Sequence, residues 1–177
     1  MKRNLFSSFV LILVFGFSTA VVSALTPPAP TVASGEEIYE QNKRGVCTII
    51  TTFVYDVPNP MGKMFDKIEH TRSIHGTGSF IDGHGNILTV AHCVTLENVP
   101  EGKFTIKKRQ FLIAVLKPDG SRKIYEGKLI GTNKSVDLAI IQAMNIKESD
   151  YAVIDIGNSD DLRAGQMVYA IASPIDP

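Results

Sequence analysis

The sequence predicts an all-β fold, a small closed barrel of six antiparallel strands preceded by a short helix. Within about a hundred residues it has six short apolar runs rich in valine, isoleucine, threonine and aromatic residues, which is the composition typical of strands. A closed barrel is expected because it removes the exposed edges that closely spaced antiparallel strands would otherwise leave. The runs are residues 46–55, 77–81, 87–90, 111–116, 124–130 and 138–143.

Turn-forming residues separate these predicted strands. Residues 82–86, with the sequence DGHGN, include several that tolerate a positive φ, and residues 118–121, with the sequence PDGS, fit a hairpin connection. Prolines, an asparagine and a glycine predict a loop over residues 58–67. A seventh apolar run, residues 167–172, predicts the start of a further strand.

The predicted helix covers residues 36–42. Glu36 and Glu37 stand at its start, where the helix dipole favours negative charge, and Gly45 follows its end. Residues 25–35 are rich in proline and small residues, a composition that indicates an extended linker. We therefore expect the folded domain to occupy residues 36–177.

The first 24 residues have the pattern of a secretory signal peptide. Lys2 and Arg3 precede an apolar run at residues 9–17, and residues 22–24 supply the small side chains that a signal peptidase accepts. The alternative is an uncleaved anchor, but the apolar segment is shorter than the roughly 20 residues that span a bilayer. We expect cleavage before Leu25, which would leave an exported chain without an integral membrane span.

The charge balance argues against a nucleic-acid partner. The chain has 18 Lys and Arg against 18 Asp and Glu, and loss of Lys2 and Arg3 with the leader would make it slightly acidic. Apolar residues make up 44% of the chain, which is enough for a packed core. The composition therefore indicates a globular domain with no electrostatic affinity for nucleic acid or for acidic membranes.

Cys47 and Cys93 leave two alternatives open. In an exported chain they could form a disulfide, and closing so long a loop would stabilise the fold by about 4 kcal/mol in the chain-entropy model. They could equally be two small buried apolar residues, because free cysteine is often interior. The spacing in sequence does not show whether their Cα atoms lie within bonding range.

His92 and Asp137 are the candidate catalytic residues. His92 follows the apolar run 87–90 and Asp137 opens the apolar run 138–143, so both are expected at the rim of the barrel. A histidine that serves as general base in acyl transfer needs a nucleophile, a fixed tautomer and a carboxylate to stabilise the imidazolium. Asp137 could supply the last two. The alternatives are a structural histidine and an aspartate that caps a turn.

Four segments, in this order along the chain, resemble motifs of the chymotrypsin-like serine proteases and, among them, those of HtrA type. Residues 76–81, GTGSFI, are similar to the strand before the catalytic histidine, and residues 85–94, GNILTVAHCV, to the histidine motif. Residues 137–141, DLAII, are similar to the aspartate motif, and residues 156–174 to the connection into the second barrel.

This resemblance implies that the predicted barrel is the first Greek-key barrel of a two-barrel protease. His92 would be the general base and Asp137 its orienting carboxylate. The substrates would be proteins or peptides, and no cofactor or metal would be needed. The resemblance leaves the oligomeric state open.

The resemblance also implies where the nucleophile belongs. In this family the serine lies in a Gly-Asn-Ser-Gly-Gly type loop of the second barrel, beyond the part that residues 168–174 resemble. Residues 157–161, GNSDD, carry aspartates where that loop has glycines, and their charge would oppose an oxyanion, so Ser159 is predicted to be a turn or cap residue. We expect the printed chain to be inactive alone, as part of an exported endopeptidase or as a non-catalytic binding module.

The remaining histidines, and a glycine where a partner for Cys93 would be expected, fit the same interpretation. His70, His75 and His84 are expected in polar loops without the close spacing of zinc ligands. Gly76 stands where relatives of digestive trypsin have the cysteine that pairs with the one after the histidine. Its presence favours the HtrA type.

Overall fold

The computed structural model describes residues 33–59, 61–62, 66–96 and 104–173. The predicted signal peptide and most of the predicted linker lie outside these residues. No helix in the described part of the chain is long and apolar enough to cross a membrane. The elements are one α-helix, α1 (Gly35–Asn42), and six strands, β1 (Val46–Pro58), β2 (Lys67–Phe80), β3 (Asn86–Thr89), β4 (Thr105–Leu116), β5 (Arg122–Asn133) and β6 (Leu138–Ala143).

The strands form a closed antiparallel barrel in the order β1-β2-β3-β6-β5-β4, with β4 paired to β1. The predicted all-β fold with a six-stranded barrel and a short helix is therefore confirmed. The pairing of β3 with β6 joins strands that are far apart in sequence, with Thr89 opposite Ala139. This pairing brings the end of β3 beside the beginning of β6.

Alternate residues of the strands point into the barrel and form its core. Phe80, Ile87, Ile113 and Ile141 are fully buried there. Each such side chain contributes about 1.5–3 kcal/mol on burial, so these contacts hold the barrel closed. Small residues let the strands approach, since a Cβ on Gly78 would lie 2.4 Å from Ile87.

The strand β2 is longer than predicted. It begins at Lys67, whereas the sequence predicts a strand only from residue 77. His70 and His75 were therefore wrongly predicted in loops and lie on β2, whereas His84 lies in the predicted turn. The first half of β2 is exposed and polar, so it shows no alternation of apolar residues; its backbone pairing with β1 makes it a strand.

Cross-strand contacts support this polar extension of the sheet. Lys107 on β4 lies 2.9 Å from both Asp56 on β1 and Glu69 on β2. The rings of Tyr55 and His70 stack with centroids 5.8 Å apart. Surface contacts of this kind each add little energy, but together they align three strands beyond the barrel core.

Other elements differ from the prediction at their ends. Helix α1 begins one residue early because Ser34 caps it, in a capping box with Glu37. Strand β4 begins at residue 105 rather than 111, and β5 at 122 rather than 124. The seventh apolar run, residues 167–172, forms no strand in the described structure, and its residues are largely exposed.

Candidate active site

The chain places His92 and Asp137 side by side through the pairing of β3 with β6. His92 lies in the 3₁₀ turn Ala91–Cys93, called here the histidine turn, which follows β3. Asp137 directly precedes β6. The backbone N–H of Ala91 donates to the carbonyl of Asp137 at 3.1 Å, so the strand pairing continues up to the two candidate residues.

Both oxygens of the Asp137 carboxylate bind His92. The ring Nδ1 lies 2.7 Å from Oδ2, and the backbone N–H of His92 donates to Oδ1 at 3.0 Å. A proton on Nδ1 shared with the carboxylate leaves the lone pair of the neutral ring on Nε2. The side chains are 55% and 48% exposed, so the pair is accessible from solvent. This arrangement can accept a proton from a group that approaches Nε2.

The contacts of Asp137 keep it ionised. Hydrogen bonds from the His92 ring first, and then from the His92 backbone N–H, lower the pKa of Asp137 below its ordinary value of 3.8. The residue has a φ of 52°, a left-handed conformation that aspartate tolerates better than most residues. At neutral pH the histidine therefore faces a negative charge that would stabilise an imidazolium.

Gly76 packs directly against the histidine turn, at Cys93. A Cβ on Gly76 would lie only 2.4 Å from the Cys93 Sγ, so a larger residue would push the turn away from β2. Burial, with a smaller effect from the charge of Asp137, raises the pKa of the Cys93 thiol. Sequence reasoning missed this packing role of Gly76, although a glycine within a strand often marks such a close approach.

Cys47 and Cys93 are both buried and free. Of the two alternatives that the sequence left open, the structure therefore contains the pair of small buried residues and no disulfide. Cys47 lies in β1, where burial raises the pKa of its thiol to about 12 and its Sγ is 3.5 Å from the carbonyl oxygen of Gly78. It is a core residue without thiolate chemistry at neutral pH.

Ser159 lies outside any regular strand. It begins the exposed 3₁₀ turn Ser159–Asp161, in which the side chain of Asn158 accepts a hydrogen bond from the backbone N–H of Asp160 at 3.2 Å. This is the turn position that the sequence predicts. Among the described residues, no group of three or more histidine, cysteine or acidic side chains could hold a metal ion.

Comparison with known proteins shows the family. Residues 76–176, more than half of the chain, match the family of the trypsin-like peptidase domain. The chain belongs to this family. The match covers both residues of the candidate site and the strands that position them, and it agrees with the closed antiparallel barrel.

Curated relatives identify this trypsin-like peptidase as one of HtrA type. The chain is 30% identical over 151 residues to Protease Do-like 8, chloroplastic, of Arabidopsis thaliana. The matched residues are 84% of this chain and 31% of that protein. A probable periplasmic serine endoprotease DegP-like of a Marinomonas species is 31% identical over 115 residues, 65% of this chain and 21% of that protein. Serine protease HTRA1 of Xenopus tropicalis is 33% identical over 99 residues, 56% of this chain and 18% of that protein. The chain thus spans less than a third of the length of these relatives.

Proposed function

We propose that His92 and Asp137 are the general base and orienting carboxylate of an exported serine endopeptidase of HtrA type. The observation that supports this role is the double contact of Asp137 with the ring Nδ1 and the backbone N–H of His92. A structural histidine would need one partner for its ring, but it would not need a ring and a carboxylate that are both about half exposed to solvent. The nucleophilic serine would lie outside the printed residues, in the second barrel of a longer protein.

The proposed reaction proceeds through an acyl-enzyme. His92 Nε2 takes the proton of the serine hydroxyl as the serine oxygen bonds to the peptide carbonyl carbon, and Asp137 stabilises the imidazolium that forms. His92 then gives this proton to the leaving amine as the peptide C–N bond breaks. In the second half, His92 takes a proton from water as the water oxygen bonds to the ester carbonyl carbon. His92 then returns this proton to the serine oxygen as the ester C–O bond breaks and the acid is released.

Export is part of the proposal. Residues 1–24 would be removed as a signal peptide, residues 25–35 would form a linker, and residues 36–177 would be the N-terminal part of the protease domain. Two features support an extracytoplasmic location: the predicted leader, and a relative whose name describes a probable periplasmic endoprotease. Protein or peptide substrates follow from the protease family of the relatives.

The test begins with the coding sequence beyond Pro177. We expect an open frame that encodes a Gly-Asn-Ser-Gly-Gly type motif, and we expect the longer protein to react with a fluorophosphonate probe at that serine. His92→Ala should abolish labelling, and Asp137→Asn should slow the reaction by about four orders of magnitude because it favours the wrong tautomer of His92. The matched control is His84→Ala, which changes a histidine in the turn after β2.

Three results would contradict the proposed function. One is a genuine stop codon after Pro177, which would favour a non-catalytic binding module. Another is a labelling rate that His92→Ala leaves unchanged. The third is labelling of residues 25–177 alone at Ser159, which would make Ser159 the nucleophile. We expect this part of the chain to remain unlabelled.

A further inference from the structure

The histidine turn is held at both of its ends. At the amino end, the backbone N–H groups of Ala91 and His92 both donate to Asp137. At the carboxyl end, the carbonyl of Cys93 accepts a hydrogen bond of 2.8 Å from the hydroxyl of Thr51. Thr51 lies on β1, which pairs with β2 and β4 rather than with β3 or β6. The two contacts therefore reach the turn from different parts of the barrel.

The contact between Thr51 and Cys93 is buried. Thr51 is 0% exposed and Cys93 is 6% exposed, so water is a poor substitute for either partner. Removing one partner of a buried hydrogen bond leaves the other without solvation, which costs more than a typical hydrogen bond contributes. Moving the Cys93 carbonyl away from Thr51 is therefore unfavourable.

Packing alone does not explain why residue 51 is a threonine. The neighbouring inward positions of β1 hold Ile49 and Phe53, both fully buried. Valine has nearly the same shape as threonine and would fill the space without a polar atom to satisfy. The hydroxyl is the difference between the two side chains, and it donates to the carbonyl of Cys93.

We propose that Thr51 is a positioning residue for His92. Its hydroxyl fixes the carboxyl end of the histidine turn, so that the imidazole stays aligned with the carboxylate of Asp137. The turn transmits the effect because it is short and internally bonded: Cys93 N–H donates to the Val90 carbonyl at 3.2 Å and Val94 N–H to the Ala91 carbonyl at 3.0 Å. The catalytic meaning of this inference rests on the proposed function of His92.

Isosteric variants of the full printed chain test the inference. Thr51→Val removes the hydroxyl and keeps the shape. Thr48→Val is the matched control, because Thr48 is 1% exposed on the same strand and its hydroxyl contacts Ser173 rather than the histidine turn. The measurements are the pKa of the Asp137 carboxyl, by ¹³C NMR, and the hydrogen exchange rate of the His92 backbone N–H.

We expect Thr51→Val to loosen the bonds between His92 and Asp137. The pKa of Asp137 should rise toward 3.8, because those bonds lower it, and the His92 amide should exchange about tenfold faster. Thr48→Val should leave both values as in the unmodified chain. A variant that merely lost packing would destabilise the whole fold without moving the pKa of one exposed carboxyl.

A second pair of variants covers the case in which Thr51→Val does not fold. Thr51→Ser and Thr51→Ala both lose the methyl group, and only serine keeps the hydroxyl. Serine should preserve the Asp137 pKa and the His92 exchange rate, and alanine should shift both. Equal values for serine and alanine, or equal values for Thr51→Val and Thr48→Val, would overturn the inference. Neither measurement needs proteolysis, so a failure here is separate from a failure of the proposed function.

Discussion

Gly76 makes the histidine turn sensitive to a single added methyl group. A Cβ at this position would lie 2.4 Å from the Sγ of Cys93, which is closer than packed atoms allow, and 3.0 Å from its Cβ, which is a tight contact. We expect Gly76→Ala to lower the free energy of unfolding by about 1–3 kcal/mol through overpacking. Urea denaturation measures this change. Gly131→Ala is the control, because no atom lies within 4 Å of its Cβ, and it should change the stability by less than about 0.5 kcal/mol.

A double variant identifies Cys93 as the cause. Cys93→Ala removes the Sγ, so it should relieve most of the clash that Gly76→Ala creates. The double variant should therefore be more stable than the sum of the two single changes predicts, by about 1 kcal/mol. Strict additivity would contradict the contact between residue 76 and the Cys93 sulfur.

At the scale of residues, the sequence indicated the two side chains of the candidate site. It did not indicate the residues that hold those side chains in position. His92 and Asp137 stand out because each is polar at the end of an apolar run, and the structure brings them within 2.7 Å. Their catalytic role stays a prediction. Thr51 could not be assigned from the sequence, because its partner is 42 residues away and threonine is common in strands.

At the scale of elements, prediction succeeded where one face of a strand is buried. Strand β6 has the bounds that the sequence predicts, since its apolar residues alternate against the core. Strand β2 was predicted from its last residues alone, because its first half has no buried face. That half is a strand only because β1 pairs with it, and pairing partners cannot be read from a polar segment.

The 3₁₀ turn Glu148–Asp150 is bound to the barrel through two titratable side chains, Asp150 and Tyr125. The hydroxyl of Tyr125 on β5 donates to the carboxylate of Asp150, which also lies 3.7 Å from the Lys117 ammonium. Burial is the largest cause and the hydrogen bond to Asp150 the next, and together they raise the pKa of Tyr125 to about 12. The hydrogen bond from Tyr125 is the main cause that lowers the pKa of Asp150.

These shifts predict how stability depends on pH. The lowered pKa of Asp150 adds stability above its ordinary value of 3.8, and this is lost as the pH falls through the folded-state pKa. The raised pKa of Tyr125 adds stability below 10, and this is lost as the pH rises from 10 toward 12. Tyr125→Phe should weaken both dependences, measured as urea midpoints across the pH range. Tyr39→Phe, on exposed α1, should change neither; equal curves for the two variants would contradict the role of the pair.

At the scale of the whole molecule, the closed barrel and the segment after it differ in how they are held. Every strand of the barrel pairs with two neighbours. In contrast, the hydrogen bonds described for residues 155–169 join residues of that segment to each other. Ile156 is 74% exposed and Val168 is 72% exposed, so little apolar area is buried there. Segments with few buried contacts open at a low free-energy cost.

Limited proteolysis with trypsin tests this difference in stability. Arg163 lies exposed within the segment, whereas Arg109 and Lys128 lie on paired strands of the barrel. Trypsin needs an extended, locally unfolded substrate, so we expect cleavage after Arg163 well before cleavage at either strand residue. Mass spectrometry of the first fragments identifies the site, and Arg163→Gln, a change without effect on the barrel, should remove that fragment. A site on a paired strand becomes a substrate only when the hydrogen bonds to the neighbouring strands are broken. Cleavage at Arg109 or Lys128 at the same rate as at Arg163 would therefore show that the barrel opens as readily as the segment.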